Sequence, residues 1–243
     1  MISLLLSDLH LPLEDSPLRR GFARFLAGPA READEVYILG DLFEYWIGDA
    51  AGLRDYAAEV LALRALADRG VRLRLMHGNR DFLVGRRFAA AAGVELLPDP
   101  LRVELNGVPT LLSHGDLWCT DDQAYQRWRR FSRRPLVQRL FGLLPERQRQ
   151  RIAGAARRQS TVDKSHKPEA IMDVNEAAVR AAFRAHGVGR IVHGHTHRPA
   201  EHHYELDGAA RQRIVLADWR PEHLEYLACG AQGLERRLVA ADG

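Results

Sequence analysis

Four short apolar runs constrain this chain most: ISLLL (2–6), EVYILG (35–40), VRLRLM (71–76) and VPTLLS (108–113), each passing into polar residues at its end. Runs of that length and character are strands of a sheet core. The third follows RDYAAEVLALRALADRG, a helical pattern that Gly70 closes, so the order there is strand, helix, strand. LRVELNGVPTLLSH carries Asn106-Gly107 between alternating segments, the signal of a type I′ hairpin. Further on, VNEAAVRAAFRAHG reads as a helix and RIVHGH as a strand, and EHHYELDGAARQRIVLADW and HLEYLACGAQGLERRLV as two closing hairpins. The fold class is α/β, becoming all-β towards its end.

With 243 residues, 46% of them hydrophobic, the chain can bury one α/β core and still carry an inserted lobe. MISLLLSDLH reaches Asp8 too soon to be a membrane span or a cleaved leader. Cys119 and Cys229 lack CxxC spacing, which argues for two ordinary thiols in a cytosolic protein. The formal charge is only +3, yet basic residues are unevenly spread, which favours a local anionic partner over general coating of nucleic acid.

The chemistry lies where the strands end. Asp8 and His10 follow the first run, Asp41 the second, Asn79 the third and His114 the fourth, while His195 and His197 follow RIV. The carboxyl ends of strands are where an α/β sheet places its site. Two residues apart, Asp8 and His10 are expected on one side of a strand end, binding one ion. Carboxylate, amide oxygen and imidazole without thiolate suit Mn²⁺, Fe²⁺, Zn²⁺ or Co²⁺. Seven such donors exceed the needs of one ion and fit two, about 3.5–4 Å apart, sharing a carboxylate. Any one of these residues alone would be a turn former or helix cap, but five short motifs in order are hard to obtain as independent turns.

Together SDLH, GDLFE, GNRD, SHGD and GHTH resemble the signature of the calcineurin-like metallophosphoesterases. The resemblance implies a β-sandwich flanked by helices and a dinuclear centre. Asp8, His10 and His197 would hold one metal and Asn79, His114 and His195 the other, with Asp41 bridging. One position departs from the usual pattern: Arg80 stands where such proteins carry a His. A His can protonate a poor alkoxide leaving group, whereas Arg keeps its proton and can only stabilise negative charge. A phosphate monoester needs no acid, since its second pKa is about 6. Arg80 therefore argues for cleavage of a pyrophosphate rather than an ordinary phosphodiester, unless it merely pairs with Asp81 or another carboxylate.

Residues 119–168 interrupt the rhythm between a core of 1–118 and 169–243. Here arginines interleave with Trp128, Phe131, Leu136, Leu140, Phe141, Leu143 and Leu144, which reads as amphipathic helices forming a cap. A basic and apolar cap suits a phosphorylated lipid or an anionic membrane, although Trp128 with Phe131 also has ordinary core spacing and arginine runs are commonly solvated. GNRDFL, the cap and the SxxxKxxK run of Ser160, Lys164 and Lys167 resemble the lipid A pathway pyrophosphatases of Gram-negative bacteria. That resemblance implies hydrolysis of a UDP-linked diacylated glucosamine lipid to UMP and 2,3-diacylglucosamine 1-phosphate. It implies substrate contacts from Asn79, Arg80, Asp122, Ser160, Lys164, Lys167 and His195. It also implies two Mn²⁺ ions and peripheral attachment to the anionic cytoplasmic face of the inner membrane, with no nucleic-acid partner. The alternatives on the same fold are a metal-dependent nuclease or phosphodiesterase and a soluble nucleotide-sugar pyrophosphatase.

Overall fold

In a computed structural model, residues 1–166 and 169–240 are described, with side chains except at 159–166, 169 and 170. The first half alternates β1 (Ser3–Leu6), α1 (Pro17–Ala27), β2 (Glu35–Ile38), α2 (Asp49–Asp55), α3 (Ala57–Ala67), β3 (Arg72–Met76), α4 (Arg86–Ala92) and β4 (Val94–Leu97). The hairpin β5 (Leu101–Leu105) and β6 (Val108–Ser113) follows, then helices α5 (Gln123–Ser132), α6 (Pro135–Leu143) and α7 (Glu146–His166). The chain continues through α8 (Glu176–His186), β7 (Arg190–His193), β8 (Ala200–Leu206), β9 (Ala209–Val215), β10 (Glu225–Gly230) and β11 (Gly233–Leu238).

The strands make two sheets, ordered β11-β10-β1-β2-β3-β4 and β5-β6-β7-β9-β8. β1 to β4 run parallel, as do β6, β7 and β9. Alternation along each strand builds the layers. Leu4 and Leu6 of β1 face the cluster under α1 and α3, while Leu5 turns to the second sheet and joins Tyr37, Leu112, Val192 and Ile214. Leu111 and Ile191 point the other way, onto Val179 and Phe183 of α8. The result is two sheets face to face with helices outside, the expected sandwich.

Local chemistry explains most boundaries. Asn106 and Gly107 both have positive φ, 51° and 71°, as the expected type I′ turn requires, and Asp207-Gly208 repeats it between β8 and β9. Asn175 caps α8 by accepting from the Ala178 N–H. One expectation is corrected. The single helix expected over RDYAAEVLALRALADRG divides at Tyr56 into α2 and α3. Tyr56 leaves helical geometry, packs its ring 4.3 Å from that of Phe43 and donates its hydroxyl to the Leu11 carbonyl at 2.9 Å.

Candidate metal centre

The loops after β1 and β2 are zipped together before any ligand is placed: Asp8 N–H donates to Gly40 O, His10 N–H to Asp41 O and Leu11 N–H to Leu42 O. Asp8, His10, Asp41, His195 and His197 all adopt left-handed backbone, with φ of 56°, 48°, 52°, 68° and 55°. Such conformations are costly for residues with a Cβ and persist where surrounding bonds over-determine them, commonly at functional sites. This changes how Asp8 and His10 converge. β1 ends at Leu6, so turn geometry beyond the strand, and not the strand pleat, brings the two side chains together.

The glycines beside the ligands admit close approach. A Cβ on Gly78 would stand 2.0 Å from Asp41 Oδ1, and one on Gly194 would stand 2.3 Å from Asp8 Oδ2. Within this cradle His10 Nε2 lies 3.3 Å from His197 Nε2, and Asp8 Oδ1 lies 3.3 Å from the same His197 nitrogen. Asp41 Oδ2 is 3.9 Å from His114 Nε2 and 4.0 Å from His10 Nδ1, between the two groups. Asn79 Oδ1 stands 3.1 Å from His114 Nε2, and the His195 ring packs 5.0 Å from that of His114. The structure thus draws all seven sequence-predicted donors to one end of the sandwich. Potential ligand atoms of Asp8, His10 and His197 lie within 4.8 Å of one another, as do those of Asp8, Asp41 and His114.

The electrostatics fit a cation. Asp8 Oδ1 is buried without a well-formed hydrogen bond. Burial first, then Asp81 and Asp8, push the Asp41 carboxyl up to about 7 against the pull of His114 and Arg80. Burial works against charge on His114 too, but Asp41, Asp8, Asp116 and Asp99 raise it to about 9. Desolvated carboxylates facing imidazole nitrogens at these spacings are a donor set for borderline divalent ions. His114 is oriented as such ligands are, its Nδ1 lying 2.9 Å from the Leu39 carbonyl so that Nε2 faces the site.

Arg80 sits at the rim, one quarter exposed. Its backbone N–H donates to Asp41 Oδ1 at 2.8 Å, its Nε lies 3.8 Å from Asp41 Oδ2, and its Nη1 donates to Glu44. Arg157 of α7 reaches the same Glu44 carboxylate at 2.8 Å, and His10 Nδ1 is 3.7 Å from it. Asp81, the other candidate partner, is engaged elsewhere, accepting from the N–H groups of Gly78 and Leu42 at 2.8 Å each. Glu44 and Asp81 belong to the GDLFE and GNRD motifs but were not read as functional, because their partners are backbone or distant arginines.

The helices α5 to α7 meet this site through a residue that also escaped the sequence reading. Asp116 is fully buried and accepts from Tyr125 Oη at 2.6 Å, Arg129 Nε at 2.8 Å and Arg133 Nη2 at 3.1 Å. Burial would raise its carboxyl, but His114 and the two arginines hold it well below the ordinary range. Arg133 also donates to the Gly78 carbonyl, and the Tyr125 ring stacks on His195 at 5.8 Å. Asp122 is the N-cap of α5, accepting from the Tyr125 N–H at 3.0 Å. Lys167 and the side chains of Ser160 and Lys164 lie outside the described residues.

Between α6, α7 and the 82–86 loop lies a cavity of about 590 Å³, lined by Phe82, Leu83, Val84, Pro135, Phe141 and Arg149 among others. Phe141 of α6 lines it. Trp128 and Phe131 do not line it, and at 48% and 49% exposure they are not core residues either.

The model of the calcineurin-like phosphoesterase family matches residues 1–199. Curated relatives extend the similarity. UDP-2,3-diacylglucosamine hydrolase of Nitrosococcus oceani is 51% identical, covering 96% of this chain and 93% of the relative. The enzyme of the same name from Chromohalobacter salexigens is 50% identical, covering 91% and 90%. The chain belongs to the calcineurin-like phosphoesterases, in the UDP-2,3-diacylglucosamine hydrolase family. A third member, from Aeromonas hydrophila, is 46% identical over 98% of this chain and 100% of its own. The chain is therefore a metal-dependent hydrolase by family.

Proposed function

We propose that this chain hydrolyses the pyrophosphate bond of UDP-2,3-diacylglucosamine in lipid A biosynthesis, releasing UMP and 2,3-diacylglucosamine 1-phosphate through attack at the α-phosphorus. The relatives' names support the substrate. The observation that carries the bond assignment is Arg80, held beside Asp41 where a proton-donating imidazole would serve an alkoxide. Its permanent charge stabilises negative charge on the phosphoryl and leaving oxygens and moves no proton. Asp8, His10 and His197 would hold one divalent ion and Asn79, His114 and His195 the other, with Asp41 as the carboxylate available to both. The donor set suits Mn²⁺, Fe²⁺, Zn²⁺ or Co²⁺, and the family resemblance singles out Mn²⁺ among them. Bound ions supply Lewis acidity and water activation. Asp81 fixes the Gly78 and Leu42 backbone beside Asp41, and Glu44 pairs with Arg80, which keeps both groups oriented.

Residues 119–168 form the cap over the substrate. Asp122, Ser160, Lys164 and Lys167 provide its polar contacts, with Asn79, Arg80 and His195 below, and the cavity receives acyl chain. Among the described residues no helix is long and apolar enough to cross a membrane. Leu136, Leu140 and Leu143 are 67%, 57% and 80% exposed at one-face spacing on α6, near the basic α5. Such a face suits peripheral binding to the anionic inner-membrane surface. Turnover of the diacylated UDP-sugar with Mn²⁺, its loss on chelation, and oxygen-18 from water appearing in UMP are the expected results. Label in the lipid phosphate would refute attack at the α-phosphorus, and faster cleavage of single-stranded DNA would turn the assignment to a nuclease. Sedimentation with anionic vesicles, weaker in high salt, checks the membrane partner.

A further inference from the structure

We infer that His193 and Arg213, residues assigned no role in binding metal or substrate, position the metal centre through one peptide group. The inference rests on the dinuclear reading and adds to it a hydrogen-bonded support beneath the His195–His197 turn.

His193 closes β7, immediately before Gly194 and His195, and is fully buried. Its Nε2 lies 3.4 Å from Nη1 of Arg213, itself only 3% exposed. A guanidinium can only donate, so Nε2 is the acceptor and the ring proton sits on Nδ1. Nδ1 is 2.9 Å from the Gly194 carbonyl and donates to it. The same peptide group donates at its other end: the His195 N–H meets Asp8 Oδ2 at 2.8 Å. The Gly194–His195 peptide is thus clamped between a buried imidazole and a metal-ligand carboxylate. Its carbonyl also accepts from the Thr196 N–H at 2.8 Å, which tightens the turn carrying both histidines.

Behind His193 the support is anchored. Arg213 donates to Tyr204 Oη at 2.8 Å and to Glu176 at 3.2 Å, at the start of α8. In front there is no slack, since a Cβ on Gly115 would stand 2.8 Å from His193 Nδ1 and 3.1 Å from the Gly194 oxygen. His195 and His197 both have left-handed backbone, so their turn needs such external fixing. Polarisation along the chain from Arg213 to Asp8 strengthens each bond in it. The ordinary buried histidine would need only a packing partner, and His193 has that as well, with the Trp118 ring edge-on at 5.7 Å. The directed bonds at both ring nitrogens are what packing alone does not explain.

Changes to groups that orient metal ligands commonly cost about 10–100-fold in metal affinity. The test is Mn²⁺ binding to the purified, metal-stripped protein by calorimetry and electron paramagnetic resonance, with circular dichroism as the check of folding. His193→Leu should bind Mn²⁺ at least tenfold more weakly. His193→Asn, whose amide can reproduce the Nδ1 donor, should recover most of that loss, while His193→Gln, which places its amide at the Nε2 position, should not. Arg213→Met should weaken binding less than His193→Leu does. If His193→Leu does not fold, the Asn and Gln pair decides alone. Equal Mn²⁺ affinity in those two, or wild-type affinity in a folded Leu variant, would overturn the inference. Failure of the wild-type protein to bind two Mn²⁺ ions would instead refute the dinuclear reading itself.

Discussion

Arg80 and Glu44 form an ion pair at the rim of the metal centre, and Arg157 from α7 shares the same carboxylate. A guanidinium held beside a fixed acceptor is preorganised for a second anion, and its charge is worth most where water is excluded. Removing one such charge from a developing oxyanion costs about 10²–10³ in kcat. Arg80→Ala should show a loss of that size with little change in KM, and Arg80→Lys should restore only part of it, because a lone ammonium cannot contact two oxygens in one plane. Steady-state kinetics on the diacylated substrate measure both. A large KM effect with unchanged kcat would assign Arg80 to ground-state binding.

Gly78 tests the metal cradle without touching a ligand. Its added Cβ would fall 2.0 Å from Asp41 Oδ1 and 2.3 Å from the Asp41 nitrogen, so Gly78→Ala must push Asp41 out of place. Asp41→Ala and His114→Ala remove donors outright and should abolish turnover. Gly78→Ala should retain the fold by circular dichroism yet lose at least about tenfold in Mn²⁺ affinity. Undiminished binding would mean that the 78–79 turn yields freely and that Asp41 is not held as described.

The order of motifs made the seven candidate donors legible, because each sits in a short stretch next to a strand whose apolar run is plain. Their left-handed backbone was not legible, since Asp and His visit positive φ more than most residues with a Cβ but too rarely to mark a position as Gly does. Asp116 was hidden differently. It lies in SHGD, but its meaning depends on Arg129 of α5 and Arg133, the residue that caps the end of α5, both being aimed back at it. His193 and Arg213 sit on parallel strands β7 and β9, and only the register of the second sheet brings them together. The break at Tyr56 likewise follows from a tertiary bond to Leu11 that overrides continuous helical periodicity.

Asp116 ties α5 to the loop after β6, so its loss should be felt in stability. Asp116→Ala would leave two arginines and the Tyr125 hydroxyl without their shared buried acceptor, a change that costs about 3–5 kcal/mol in comparable buried pairs. Denaturant unfolding should show a loss of that order. Limited proteolysis should show earlier cutting within 123–158 than in the wild type. Wild-type stability would mean that water replaces the carboxylate there.

Alkaline pH offers a check on the core between the sheets. Burial first, then Glu35, push the Tyr37 phenol up to about 12, against the pull of Arg74. The unfolded phenol ionises near 10, so above that pH the unfolded chain binds fewer protons than the folded one. Stability present below about 10 is therefore lost as pH rises towards 12. Denaturation midpoints from about pH 9 to about pH 11.5 should fall, and Tyr37→Phe should fall less steeply. Parallel slopes for the two proteins would show that Tyr37 ionises as freely in the fold as outside it.

Phe82, Leu83 and Val84, which follow Arg80 and Asp81 in the chain, line the cavity between α6, α7 and the 82–86 loop, so the proposed substrate, with its pyrophosphate at Arg80, would place an acyl chain there. Its walls of Phe82, Leu83, Val84 and Phe141 are apolar, and burial of each methylene is worth about 0.8 kcal/mol, roughly fourfold in binding. UDP-glucosamine without acyl chains should then be a poor substrate although the scissile bond is the same, because remote binding energy positions the reacting phosphorus. Gly142 lines the cavity, and a Cβ there would meet no atom within 4 Å. Gly142→Leu should fill part of the space without strain, lowering kcat/KM for the diacylated substrate by tenfold or more, on the order of two or three displaced methylenes. The same variant should cleave a short-chain analogue as the wild type does. Equal loss on both substrates would point to a disturbed α6, and no loss on either would place the acyl chains elsewhere on the cap.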